Sequence, residues 1–282
     1  MKSKEELIRI YNETVEDIQA GDYESKSGNM VDLLGLKKLK EGTKLYYSTE
    51  QSKSGTLDKP LKVYVQNIDT FLKAREMGPK CAVLNMASST NPGGGVKNGS
   101  RAQEEDLCRR STLLYSLYSL TSWGKDIFGF SKKDDRYPIP SRGGIYSPNV
   151  CVFRDAVTYS KLDNPFICSV ISVAGVVHPK IDPNTGMLER KYIPIVKSKI
   201  RTILRIAKEN KHTKLVLGAL GCGAFKNPPK HIAMLFKEVF DEQEFSNSFE
   251  EICFAILEDN NSRKDHNPDG NLKPFTEIFG EE

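Results

Sequence analysis

NPGGGVKNGSRAQEEDLCRR, residues 91–110, is the most telling segment of the chain. A proline precedes three consecutive glycines, then comes a short polar run, then a segment opening Gln103-Glu104-Glu105. Backbone without Cβ atoms can take positive φ and lie flat against a ligand, and three glycines in a row suit neither helix nor strand. Ser100-Arg101-Ala102-Gln103 reads as a capping box, with Ser100 as N-cap and Gln103 three residues on. The spacing of Leu107, Leu114, Leu117 and Tyr118 predicts one helix from Arg101 to about Ser122. A glycine loop feeding a helix N-terminus offers free N–H groups and a positive dipole end, which suits a phosphate or pyrophosphate.

Two carboxylates at that helix start are unexpected for an anion site. They fit chemistry applied to a ligand that the loop holds. Adjacent helical residues point about 100° apart, so one of the pair is expected to face the cleft. Glu104 shares a face with Leu107 and Cys108, and Glu105 shares one with Arg101 and Arg109. The plain alternative is a pair of ordinary first-turn acids, with Glu105 in a solvated pair with Arg109. A solvated helix start has no need of the triple glycine, which turns the reading toward chemistry.

The glycine triplet, seven intervening residues and the Gln-Glu-Glu triplet resemble the signature of poly(ADP-ribose) glycohydrolases. The wider wording NPGGG…AQEE-x-L-C-x-R-S resembles the microbial-type branch, as does YSPxVxVFRD from Tyr146 to Asp155. The resemblance implies an α/β fold: a macrodomain-like three-layer α/β/α arrangement with a mixed central sheet, here carrying an N-terminal helical extension. It implies that Glu105 is the catalytic acid/base and that Glu104 supports substrate placement. It also implies substrate contacts from Gly93, Gly94, Gly95, Val96, Gln103, Asn91 and Ser88. Macrodomain first loops often carry an asparagine where Ser88 stands, and a hydroxyl can still hydrogen-bond a ribose.

Along the rest of the chain, residues 4–20 form an amphipathic helix with Leu7, Ile10, Val15 and Ile18 as buried positions. Residues 21–60 are polar with short strand-like pieces, so residues 1–60 are read as an accessory segment packed on a core of residues 61–282, the whole being one continuous unit. Strands are expected at 61–65, 81–86, 150–155, 166–173, 214–220 and 252–257, and helices at 69–77, 192–208 and 229–240. Residues 123–142 read as a surface loop and residues 275–279 as a short closing segment. Arg154-Asp155 reads as a salt-bridged strand end. Strands alternating with helices argue for a layered α/β sheet with ligands beyond the carboxyl ends of strands.

The strand ending at residue 220 feeds a second glycine loop, Gly221-Cys222-Gly223-Ala224-Phe225, followed by Pro228 and Pro229. Amides in such a turn can form a concavity for a pyrophosphate. Tight strand-to-helix turns are also common for connection alone. The resemblance implies that this loop binds the diphosphate and that Phe225 touches the terminal ribose. The spacing of Gly218, Gly221 and Gly223 is not GxGxxG, and Gly94…Gly99-Ser100 lacks the lysine of a Walker loop, which argues against dinucleotide and NTPase folds.

With 41 basic and 37 acidic residues the net charge is +4, so no direct nucleic-acid site is indicated. Mean hydropathy is −0.45 and no run approaches 18 apolar residues, so no membrane span is expected. The charged N-terminus does not resemble a signal peptide. Six scattered cysteines without CxxC read as buried thiols in a reducing compartment, so a cytoplasmic location is expected, or a nuclear one for a eukaryotic source; separately, a monomer is expected. Four histidines without a Cys/His cluster give no metal site, and no cofactor is expected.

The resemblance implies hydrolysis of ribose–ribose O-glycosidic bonds in poly(ADP-ribose), with ADP-ribosylated proteins as carriers of the substrate. A non-catalytic ADP-ribose reader needs the loops but not the acids. A hydrolase of mono-ADP-ribosyl marks needs both.

Overall fold

A computed structural model describes residues 2–33, 35–130, 135–258 and 267–281. Helix α1 spans Lys4–Ala20 and is closed by a capping box, with Ser3 accepting from the Glu6 amide and Glu6 from the Ser3 amide. A small hairpin follows, β1 (Asp22–Glu24) against β2 (Met30–Asp32), then helix α2 (Leu36–Gly42) and strand β3 (Lys44–Tyr46). Strand β4 (Lys62–Gln66) leads to helix α3 (Thr70–Met77) and strand β5 (Cys81–Met86). Helices α4 (Gln103–Arg110), α5 (Leu113–Tyr118) and α6 (Trp123–Phe128) precede the long strands β6 (Gly144–Arg154) and β7 (Lys161–Val173). Helix α7 (Ile193–Glu209), strand β8 (Lys214–Leu217), helix α8 (Pro229–Phe240), strand β9 (Glu251–Ala255) and helix α9 (Leu272–Phe279) complete the order.

Seven strands form one mixed sheet in the order β3-β6-β7-β5-β8-β9-β4. The run β7-β5-β8-β9-β4 is parallel, whereas β3, β6 and β7 pair antiparallel. Central strands are apolar on both faces because both are covered. In β5, Ala82 and Leu84 pack with α7 and α8 residues such as Ile200, Leu204 and Phe236, while Val83 packs on the other side with Phe71, Leu107 and Leu114. Strands β8 and β9 divide the same way, Leu215 and Phe254 to one core and Val216 and Cys253 to the other. The result is the three-layer α/β/α arrangement with the N-terminal helix added. Strand β3 brings residues 44–46 onto the edge of the sheet beside β6. All six cysteines are free and buried. Among the described residues no helix is long and apolar enough to cross a membrane, and none form a His/Cys/Asp/Glu cluster fit for a metal ion.

The single helix expected from Arg101 to Ser122 is two, α4 and α5. It breaks at Ser111, whose backbone is extended (φ −150°, ψ 173°) and bridges Val152 of β6. Ser111 Oγ donates to Leu107 O, and the Thr112 amide donates to Cys151 O, so the chain trades a helical turn for sheet contacts. Residues 123–128 are helical rather than looped. The capping box at Ser100 is also corrected. The N-cap is Ala102, which has no side-chain oxygen to cap with, and the Gln103 side chain is bonded to strand β5 instead of Ser100. Arg154 is indeed ion-paired at a strand end, its partners being Asp17 at 3.0 Å and Glu13 at 3.5 Å, both on α1.

Candidate active site

Strand β5 delivers the chain at Met86 to the glycine loop, and α4 returns over it. Gln103 ties the two ends together. Its Oε1 accepts from the Met86 amide at 2.8 Å and its Nε2 donates to Leu84 O at 2.8 Å. The helix start therefore sits at the carboxyl end of a central strand, where parallel sheets hold ligands.

Glu104 is 3% exposed and faces that strand end. Its Oε2 accepts from the Ser88 amide at 2.6 Å, and its Oε1 accepts from the Gly93 amide at 3.2 Å and from Asn85 Nδ2 at 3.4 Å. Asn85 is fully buried, is paired in register with Ser172 of β7, and also donates to Ser172 Oγ at 2.9 Å. These three donors favour the carboxylate, but burial outweighs them and the nearby Glu105 carboxylate adds to it. The carboxyl is pushed up to about 8.

Glu105 is 7% exposed. Its Oε1 accepts from the Gly95 amide at 2.8 Å, while Oε2 is buried with no partner among the described residues. Both carboxyls line the cleft, so the expectation that one would turn away is corrected. The loop between strand and helix curls under both. A Cβ on Gly94 (φ +57°) would lie 2.5 Å from Glu105 Oε1 and 3.1 Å from Glu104 Oε2. Only glycine fits a positive-φ position against two carboxyls. The solvated Glu105–Arg109 pair is likewise corrected. Arg109 is fully buried and bonds to backbone carbonyls.

The second loop forms the opposite wall. Asn227 organises it from within, its Nδ2 donating to Val176 O at 2.7 Å and Gly221 O at 2.9 Å. His178 closes it from outside, its amide donating to Phe225 O at 2.9 Å. The amides of Gly223, Ala224 and Phe225 have no acceptor among the described residues. Successive free N–H groups in a turn make an anion concavity.

The cleft between the two loops has a volume of about 1480 Å³. Of the residues singled out in the sequence, Ser88, Gly94, Gln103, Glu104, Glu105, Gly221, Gly223, Ala224 and Phe225 line it. Val96 (1% exposed) and Cys222 (fully buried) turn their side chains into the two cores. Gly93 is buried and Gly95 half-buried, neither lining the cleft, and Asn91 is exposed, its amide donating to Ser88 Oγ at 3.2 Å. The wall also holds Asp69 and Asp106, which sequence reading did not single out. Both are held by the buried Arg110, at 2.8 Å and 2.7 Å. Asn85 and Asn227 were missed too. The signals were a lone amide inside an apolar strand and an asparagine before two prolines.

A macrodomain-like sheet thus carries, at the carboxyl ends of its central strands, a cleft with free amides on one wall and a carboxyl pair at the α4 start on the other. The family model described as microbial-type PARG (poly(ADP-ribose) glycohydrolase), catalytic domain, matches residues 12–155. The chain belongs to that family. Among solved structures, the poly(ADP-ribose) glycohydrolase of Thermomonospora curvata superposes with TM-score 0.78 at 27% identity, covering 98% of this chain and 100% of that one. The same enzyme bound to the inhibitor ADP-HPD gives TM-score 0.75 at 27% identity, over 97% and 99% of the two chains. The Deinococcus radiodurans enzyme in complex with ADP-ribose gives TM-score 0.65 at 31% identity, over 88% and 98%. No curated protein sequence matches.

Proposed function

We propose that this chain hydrolyses ribose–ribose O-glycosidic bonds of poly(ADP-ribose) and releases ADP-ribose, with Glu105 as general acid and then general base. The observation that carries the reading is the Glu105 carboxyl itself. One oxygen is fixed by the Gly95 amide and the other is unpartnered, in a cleft whose far wall holds three free amides.

The diphosphate of the terminal ADP-ribose sits on the amides of residues 223–225, and Phe225 lies against the terminal ribose. That places the anomeric carbon toward Glu105. Cleavage builds oxocarbenium character there, so the leaving ribose hydroxyl must receive a proton. Glu105 Oε2 carries it, since Oε1 is occupied as an acceptor. The resulting carboxylate then takes a proton from the water that attacks the anomeric carbon. Glycosidases commonly divide these tasks between two carboxylates. Here Asp69 and Asp106 are committed to Arg110, and Glu104 is committed to Ser88, Gly93 and Asn85. One carboxyl is left to do both steps, and Glu104 fixes the glycine loop on which it rests. Holding the reacting groups in place accounts for several kcal/mol of a barrier.

Purified protein given poly(ADP-ribose) and, separately, mono-ADP-ribosylated protein tests the reading. Release of ADP-ribose from the polymer, abolished by Glu105→Gln, is the expected result. Binding without release would make the chain an ADP-ribose reader, and release from mono-modified protein alone would make it a hydrolase of single marks.

A further inference from the structure

The acid's own support extends into the N-terminal helix. Arg109 follows Glu105 by one helical turn and is fully buried. Its Nε donates to Leu7 O of α1 at 3.1 Å, and its Nη2 donates to Val96 O at 3.3 Å and Ser100 O at 2.6 Å. Those two carbonyls bracket the segment that begins one residue after Gly95, whose amide holds Glu105 Oε1. Thr14 Oγ1 of α1 returns a bond to Arg109 O at 2.7 Å. Further out, Arg101 Nη2 donates to Lys2 O at 2.7 Å. Gly99 (φ +72°) lies so close to α1 that a Cβ there would stand 2.7 Å from Lys4 O.

A guanidinium taken fully out of water costs several kcal/mol and is kept only where its donors are used. Here Nε and Nη2 are used to join three pieces of backbone, while Nη1 is buried with no partner among the described residues. The planar fork can reach two directions at once, which a single ammonium on a flexible stem does less well. The family match begins at residue 12, beyond the turn of α1 that carries Leu7.

We propose that Arg109, clamped between the first turns of α1 and the 96–100 segment, is a positioning residue that sets the Glu105 carboxyl through the Gly95 amide. The N-terminal helix is then part of the catalytic apparatus. Arg109 touches no substrate, and its effect runs through backbone. The proposal rests on Glu105 being the acid/base.

The test compares Arg109→Gln, Arg109→Lys and Gly99→Ala with the parent and with Glu105→Gln. It measures kcat and KM on poly(ADP-ribose), ADP-ribose affinity by calorimetry, and melting temperature. Arg109→Gln and Gly99→Ala are expected to lower kcat about ten- to hundredfold, the scale of a misplaced reacting group, with ADP-ribose affinity held within about twofold. Arg109→Lys is expected to recover part of that loss. An unchanged kcat per ligand-binding site overturns the proposal, as does a parallel loss of kcat and affinity. Should Arg109→Gln fail to fold, Gly99→Ala decides, because it pushes α1 away with the guanidinium intact. Full activity in Glu105→Gln would overturn the underlying reading instead, whatever the other variants do.

Discussion

The Gly95 amide donates to Glu105 Oε1 at 2.8 Å while Glu105 Oε2, also buried, has no partner among the described residues. The two oxygens of one carboxyl are thereby made unlike. The backbone donor fixes Oε1 as an acceptor, while Oε2 keeps its lone pairs unengaged among the described residues. The glycine loop that orients this carboxyl and the loop at residues 221–225 face each other across the cleft.

That asymmetry makes Glu105→Gln the sharpest single substitution. The amide oxygen still accepts from Gly95, the shape is kept, and the exchangeable proton is gone. Turnover on poly(ADP-ribose) should fall by about a thousandfold, within the usual range for a general acid/base. Calorimetry should find ADP-ribose affinity near the parent value. A variant that still degrades polymer at a near-normal rate would remove Glu105 from the role.

Gly94 and Gly223 should respond in opposite ways to one added methyl. At Gly94, φ is +57° and the methyl would press on both carboxyls, so Gly94→Ala should lose about a hundredfold in kcat on the scale of a displaced reacting group. At Gly223 nothing lies within 4 Å of the position, so Gly223→Ala should leave fold and melting temperature intact. Steady-state kinetics and thermal melting of both variants check the pair. Equal behaviour would mean that the two loops do not differ in how closely they approach side chains.

Much of this was legible because glycines and a triplet of side chains in a row encode local backbone. Strand β5 and helix α8 fall at the expected residues 81–86 and 229–240, since their apolar patterns and flanking Gly78-Pro79 and Pro228-Pro229 are local signals. The break at Ser111 was not legible. Leu107, Leu114 and Leu117 keep helical spacing across it, and what stops the helix is Val152, more than forty residues downstream. The facing of Glu104 and Glu105 was misread for a related reason. An ideal helix wheel separates them, but the loop beneath folds back and meets both. Arg109 looked like a surface partner for Glu105 because spacing alone says nothing of a helix from residues 4–20 that covers it.

Asn227 offers a test of the second wall alone. Asn227→Ala leaves the Val176 carbonyl without its donor, a loss of order 1 kcal/mol or more, and takes the side-chain bond from Gly221 O, which keeps the backbone amide of residue 227 at 3.0 Å. The loop should then hold its free amides less well aligned. ADP-ribose Kd is expected to rise about tenfold or more, with a smaller change in kcat at saturating polymer. Calorimetry and saturation kinetics on one preparation separate the two. A fall in kcat with Kd unmoved would place Asn227 with the acid rather than with the diphosphate.

Glu104 makes stability depend on pH in a direction opposite to most carboxylates. Its folded carboxyl is pushed up to about 8 by burial, against 4.5 as its ordinary value. Between those values the folded state binds the extra proton, so stability falls as pH rises from about 4.5 through about 8 and levels off above. The buried imidazoles His212 and His231 act the other way, since burial lowers both and their cost appears as pH falls below their ordinary range. The parent's melting curve therefore mixes two trends, and only a difference isolates Glu104. In Glu104→Gln the side chain cannot titrate, though its NH2 now meets one of the Ser88 and Gly93 amides and destabilises the fold at every pH. The melting temperature of the variant minus that of the parent should rise steadily from pH 5 to about pH 8, by several degrees for a shift worth a few kcal/mol. A difference flat across that range would mean that the three donors to Glu104 hold it ionised and outweigh its burial.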